Sequence, residues 1–373
     1  MFHQDLQRRI TRSIANASAC FLLIALSSFN TIKAEIGVEI LVDCDKPTVE
    51  LSPHLYGLFF EDINYAADGG LYAELVQNRS FEYYSLEKTH RDSSFDPLYA
   101  WERVQRQGGQ CQIQVVSAEP LNQNNRNYLQ LKISPGGVAG VSNSGFDGIH
   151  LDAGKRYDVS LFARTENWTG DSSITVRLES GDATECGSVL LRAASGSWEK
   201  LEGVITATKT VDNAKLVVIT TGHGTLNLDM VSLFPQETFH GRKNGLRKDL
   251  VQALKELNPK FFRFPGGCIV HGHGYDNRYN WKDSVGDVAE RKPNWNLWGC
   301  HQTYGLGYFE YFQLCEDLKM AALPVVPIGV GCGFRCNEFV PIDELGPHIQ
   351  DAIDLIEFAN GPPTSKWGKV RAE

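Results

Sequence analysis

The 373-residue sequence predicts an α/β chain in which a parallel sheet of βα units is interrupted early by an all-β sandwich. Three observations carry this. Beyond Pro235, helix-period stretches and short strand-like runs alternate, the pattern of βα units. Between Ser94 and Phe234, short β-rich runs are separated by clusters of Gly, Asn, Asp and Ser, as in a sandwich. The apolar run Leu58–Phe60 precedes that segment and reads as a strand, so the sandwich is expected as an insertion between the first and second βα units.

At the N-terminus, Arg8, Arg9 and Arg12 precede the apolar run Cys20–Leu26, and a polar stretch then leads to Ala34. This order predicts a secretory signal over residues 1–34, too short to span a bilayer as a helix. A secreted or periplasmic protein is expected, with no membrane attachment once the signal is removed. Val38–Val42 and Thr48–Leu51 read as strands, Leu58–Phe60 as a buried strand delivering Glu61 and Asp62 at its end, and Leu71–Gln77 as a helix. Residues 35–93 are thus assigned to the first strand and helix.

Residues 94–235 are assigned to the sandwich, with strands expected at Tyr128–Ile133, Tyr157–Arg164, Ser173–Leu178 and Lys215–Thr220. Residues 236–373 return to βα units. Helices are expected at Leu246–Leu257, Leu306–Lys319 and Ile342–Ala359, and strands at Phe261–Phe264 and Leu323–Ile328.

The net charge of −9 argues against nucleic acid as a partner, because phosphate binding rests on a basic face. The nine cysteines are scattered. Cys332 and Cys336, four apart in a loop-like stretch, read as a local disulfide or two free thiols. Asn78 and Asn167 open glycosylation acceptor patterns. No glycine-rich phosphate loop, GxGxxG or GxSxG occurs, so no nucleotide cofactor is expected. His271 and His273, with Asp276 and Asp283 beyond them, suit hydrogen bonding in a glycine-rich loop better than tetrahedral metal ligation, and no metal is expected.

In βα barrels the working groups lie at the C-terminal ends of strands. Three such ends can be read here: Glu61 and Asp62, then Pro265–Cys268, then Gly329–Arg335. Glu61 is the leading candidate. Pro265, Gly266 and Gly267 form a turn in which a backbone without side chains can approach a ligand. Trp281, Trp295 and Trp298 share a loop and are candidates for sugar-stacking walls. Arg263, inside the strand before the turn, is expected to be paired with carboxylates, either orienting an acidic catalytic group or, the favoured reading, as a structural ion pair. Glu310 and Glu316 fall on a helix and are expected to be solvated, and Glu338 is assigned to a loop.

The stretches "LYGLFFEDINYAADGGLYAELVQNRSFE", "FFRFPGGCIVHG", "YNWKDSVG", "ERKPNWNLWGCHQTYGLGYFEYFQLCEDL" and "ALPVVPIGVG" resemble, in order, the N-terminal portion of the α-L-arabinofuranosidases of glycoside hydrolase family 51. They are most similar to the subgroup with an inserted carbohydrate-binding-like β-sandwich. The resemblance implies a (β/α)8 TIM barrel, of which only about the first three βα units would be present, with a jelly-roll-like insertion. It implies retaining hydrolysis of terminal non-reducing α-L-arabinofuranosyl residues from arabinose-containing plant polysaccharides, without a cofactor and through two carboxyl groups about 5 Å apart.

By that resemblance Glu61, Gly266, Gly267, Cys268 and Trp298 contact the sugar. The family's acid/base glutamate lies in a Gly-Asn-Glu motif after the fourth barrel strand, and its nucleophile further on. The sequence ends at "SKWGKVRAE" before that strand, so both catalytic glutamates are expected beyond Glu373 and none within this chain, which is expected to be inactive alone. Relatives assemble as oligomers, and that remains open here. Two alternatives are a carbohydrate-binding protein without catalysis and a retaining glycosidase acting on another sugar.

Overall fold

A computed structural model describes residues 40–41, 45, 49–86, 95–193 and 196–373. The expected signal at 1–34, and most of the strand expected at Val38–Val42, lie outside the described residues. Val49–Leu51 lies inside them and forms no strand.

The residues from Ser52 onward form one unit, and its first strand, β1 (Leu58–Phe59), is separated from its parallel partner by the whole sandwich. The intervening strands are β2 (Trp101–Arg106), β3 (Cys111–Val116), β4 (Tyr128–Ile133), β5 (Val138–Asn143), β6 (Ile149–Leu151) and β7 (Arg156–Thr169). They continue with β8 (Ser173–Glu179), β9 (Glu185–Arg192), β10 (Glu199–Thr206), β11 (Val211–Thr220) and β12 (His223–Pro235). One antiparallel sheet runs β10-β7-β12-β4-β3 and the other β2-β5-β11-β8-β9, with β6 also on β11. Alternation explains the core: Tyr157, Val159, Leu161 and Ala163 of β7 and Leu129, Leu131 and Ile133 of β4 are the buried set between the sheets, as a period of two requires.

After Pro235 the chain forms helix α1 (Lys248–Glu256), strand β13 (Phe261–Phe264) and a one-turn helix α2 (Cys268–His271). A hairpin of β14 (Asn294–Asn296) and β15 (Cys300–Gln302) follows, then α3 (Tyr308–Leu318), β16 (Ala321–Pro324), α4 (Gly346–Asn360) and α5 (Lys366–Ala372). β1, β13 and β16 form a parallel sheet in that order. Phe60, Phe262 and Phe264 face the helices, and Phe264 stacks on Tyr311 of α3 at 4.8 Å between ring centroids.

Three expectations are corrected. Leu58–Phe60 is not buried throughout: Phe59 is 54% exposed, because the pleat that turns Leu58 and Phe60 toward the helices turns Phe59 to the other face. The third strand lies at Ala321–Pro324 rather than Leu323–Ile328. Val325 still donates to the Phe264 carbonyl, but Pro324 and Pro327 have no N–H to extend the ladder.

Leu71–Gln77 is not helical. Its backbone groups are taken by distant partners: Ala73 N–H donates to Gly245 O, Leu75 N–H to Leu233 O, and Gln77 N–H to the Asn143 side chain. These tertiary bonds replace the helical ones.

That segment joins the sandwich to the parallel sheet. Glu74 and Arg79 form an ion pair at 3.3 Å with both side chains 3% exposed. Arg79 also donates to the Tyr72 hydroxyl, and Glu74 Oε1 accepts from Val76 N–H and from Leu233 N–H of β12. Tyr72 meets Phe234 edge to face at 5.2 Å.

A buried pair that loses one partner leaves an uncompensated charge. Arg79→Met is therefore expected to lower the urea-unfolding free energy by roughly 3–5 kcal/mol, and the double change Arg79→Met with Glu74→Leu to lose less than the single one.

Candidate functional site

β1 ends at Phe59, and two residues later Glu61 projects over the turn that follows β13. Its Oε1 accepts from Ile269 N–H of α2 at 3.1 Å and from the Trp298 indole N–H at 3.1 Å. Trp298 sits in the turn between β14 and β15, where its own N–H donates to Asn296 Oδ1 at 2.9 Å. Asn296, 2% exposed, donates through Nδ2 to the Asp62 carbonyl at 2.8 Å. One carboxylate is thus held by groups from two separate parts of the chain.

Gly266 has φ +147°, and a Cβ there would lie 2.6 Å from Glu61 Cγ. The close approach that this glycine permits within the chain is that of the Glu61 side chain. Gly267 is the residue before α2, and a Cβ on it would meet only an Arg263 guanidinium nitrogen at 3.7 Å.

Cys268 follows, half-buried, with its thiol against that of Cys332 from the loop after β16. Burial pushes the Cys268 thiol up, and Cys332 and the Glu61 charge add to the shift. The same loop brings Arg335 over the Trp298 ring at 6.0 Å. Cys332 and Cys336 are free thiols. The structure therefore brings Glu61, Gly266, Gly267, Cys268 and Trp298 together.

Other candidates separate from them. Trp281 is 1% exposed and donates its indole N–H to the Asp351 carbonyl, so it is core and not a sugar wall. Trp295 is half-buried, 5.9 Å from the His273 ring. Arg263 makes no ion pair among the described residues. Its guanidinium lies 4.7 Å from the centroid of the exposed Phe59 ring, a cation–π contact that needs no carboxylate.

Glu310 is not solvated. It forms a two-pronged pair with Arg291 at 2.9 Å on each oxygen and accepts from Gly307 N–H. Glu316 is exposed, and Glu338 is an exposed loop carboxylate that accepts from Tyr275 N–H. Glu373, directly after α5, is also exposed and pairs with Lys369 one turn back at 3.6 Å, a solvated helix-end contact. No group of His, Cys, Asp and Glu arranged to hold a metal ion occurs among the described residues. Asn78 is buried, donating to the Pro97 and Tyr99 carbonyls, whereas Asn167 is exposed.

Sequence reasoning missed the supports. Asn296 signals itself only as an Asn two residues before Trp298. His301 is buried and stacks on Tyr83 at 4.2 Å, with Nε2 2.9 Å from the Tyr84 carbonyl. Burial lowers its pKa to about 4, so the ring is neutral and fixes the hairpin that carries Trp298.

Asp62 is 1% exposed and accepts from Ala66 and Ala67 N–H. Burial, assisted by Asp68, raises its pKa to about 7. The folded chain therefore keeps a proton that the unfolded chain releases from about pH 4 upward, and stability falls as pH rises toward 7.

Asp62→Asn keeps the acceptor oxygen. It is expected to flatten the fall of Tm between pH 4 and 7, with a gain at neutral pH on the order of a few kcal/mol. Gly266→Ala is expected to cost roughly 1–3 kcal/mol through the positive backbone angle and the clash with Glu61. Its companion readout is urea unfolding of the double change with Glu61→Ala, which should recover part of the loss.

Comparison with known proteins gives the following. A family profile described as "Alpha-L-arabinofuranosidase 1 domain" matches residues 253–373, and one described as "Carbohydrate binding domain" matches residues 73–225. An extracellular exo-alpha-L-arabinofuranosidase of Streptomyces chartreusis is 46% identical over 348 residues, covering 90% of this chain and 40% of that protein. Alpha-L-arabinofuranosidase 1 of Arabidopsis thaliana is 36% identical over 332 residues, covering 86% of this chain and 46% of its own. Among solved structures, an arabinose-bound α-L-arabinofuranosidase, MgGH51, superposes with a TM-score of 0.78 at 33% identity, over 88% of this chain and 52% of that one. The chain spans about half the length of the relatives it matches.

Proposed function

We propose that this chain, which resembles the N-terminal portion of the family 51 α-L-arabinofuranosidases with their inserted sandwich, contributes the sugar-holding side of a retaining arabinofuranosidase. The activity is removal of terminal non-reducing α-L-arabinofuranosyl residues from arabinose-containing polysaccharides. In this reading β1, β13 and β16 are the first strands of a (β/α)8 barrel, and the protein is exported.

The observation that carries it is the Glu61 constellation at the strand ends. Glu61 commits Oε1 to Ile269 and Trp298, which leaves Oε2 to accept from a sugar hydroxyl. A carboxylate so engaged is suited to binding and orientation rather than to nucleophilic attack. The Trp298 ring supplies an apolar face for the furanose, and Gly266, Gly267 and Cys268 form the rim. In this reading the Glu61 constellation supplies neither of the two carboxylates of the retaining mechanism, about 5 Å apart, and Glu373, paired with Lys369, takes neither role.

A second reading, a carbohydrate-binding protein without catalysis, has its own support. On the outer face of the sheet β10-β7-β12-β4-β3, Gln114, Gln130, Asn227 and Glu166 form a hydrogen-bonded amide ladder. Arg164 beside it lies 4.9 Å from the Trp198 ring and 5.5 Å from the Tyr128 ring, and those two rings meet edge to face at 5.1 Å. Polar rungs with an aromatic flank are chemistry that a glycan chain can use.

The experiment is titration of the chain with an aryl α-L-arabinofuranoside, following tryptophan fluorescence and aryl release together. The arabinofuranoside is expected to bind without turnover, an aryl xyloside to bind more weakly, and Glu61→Gln to lower arabinofuranoside affinity by about tenfold, one charged hydrogen bond. Equal affinity for the xyloside, or no effect of Glu61→Gln, would sink the assignment of this site.

A further inference from the structure

Segment 71–77 helps to line a cleft of about 960 Å³ between the sandwich and α1. Its floor is aromatic: Tyr72, Tyr157 and Phe239 are largely buried there. Phe146 stands half-buried on the sandwich wall, held edge-on to Tyr65 at 5.6 Å. The volume and position, at the junction of two packed layers, are those of a small-molecule site.

Its rim is basic in a chain whose net charge is −9. Some cations there are already matched: Lys155 pairs with Glu237, Arg247 with Asp249, and His150 with Asp152 and Asp212. Arg156 on the sandwich wall and Lys248 and Lys255 on α1 make no ion pair among the described residues, and Lys248 feels Glu237 only at longer range. Lys248 and Lys255 are seven apart and share one face of α1. Unmatched cations therefore face the cleft from both walls.

We propose that this cleft binds an acidic saccharide, with sugar faces on its aromatic floor and uronate carboxylates against Arg156, Lys248 and Lys255. Ring faces take up the apolar C–H faces of sugars, and carboxylates are drawn by unpaired Lys and Arg. The site is separate from Glu61 and does not depend on the reading of that residue. It gives the chain a hold on uronate-bearing polysaccharide.

The test is calorimetric titration of the full chain with a short oligogalacturonate, its fully methyl-esterified form, and acetate. The acid is expected to bind about tenfold tighter than the ester, and the difference to shrink at high salt. The double change Lys248→Gln with Lys255→Gln is expected to lower the acid's affinity about tenfold while leaving ester binding unaltered. Both lysines are exposed on α1, and circular dichroism checks that the fold persists. Equal binding of acid and ester, no binding of either, acid affinity insensitive to the double change, or displacement by acetate at equal concentration would each overturn the proposal.

Discussion

The structure depends on the buried Glu74–Arg79 pair and the extended segment around it. A charge pair with both side chains almost fully removed from water is tolerated only where its remaining hydrogen-bonding capacity is met. Here Val76, Leu233 and Tyr72 meet much of it. The requirement ties three things into one knot: the chain leaving β1, the last sandwich strand, and the start of the link to α1. β1 and β13 are separated in sequence by the whole sandwich yet pair in parallel, and this knot brings the chain back to the place it left.

From that knot the candidate site follows. With β1 beside β13, Glu61 falls opposite the turn after Phe264, and Gly266 is the residue there whose missing side chain makes room for it. The hairpin β14–β15 is held in place by His301 on Tyr83 and Tyr84 and by Asn296 on Asp62. Those contacts bring the Trp298 indole to Glu61. The candidate site is therefore assembled by buried polar groups set back from its rim, and the lowered pKa of His301 and the raised pKa of Asp62 are consequences of the same burial. The cleft that segment 71–77 helps to line has the same origin, since Tyr72 is at once part of the knot and part of that cleft's floor.

Where the sequence misled about which groups pair and which are buried, the cause was a partner outside the local pattern. Leu71–Gln77 has helical spacing, but Leu233, Gly245 and Asn143 replace the local bonds. Arg263 looked as though it needed a carboxylate, and it found the ring of Phe59 instead. Trp281 and Trp298 sit in similar loop text. One is sealed under α4 and α5 while the other faces Glu61, and no local pattern distinguishes them. Glu310, on an amphipathic helix, is drawn inward by Arg291.

The sequence by itself determined the class of the fold. Period-two alternation marked β4, β7 and β8, and helical period marked α1, α3 and α4. The Pro-Gly-Gly turn marked the end of β13, and the position of Glu61 right after an apolar run marked the leading site residue. These are local signals, written within a few residues by sterics and solvation. Only the tertiary structure decided which residues meet Glu61, which tryptophan donates to it, which carboxylates are buried with raised pKa, and where cations are left unmatched. Those properties depend on contacts between groups far apart along the chain, and burial and pairing are set by the sum of such contacts rather than by neighbours in sequence.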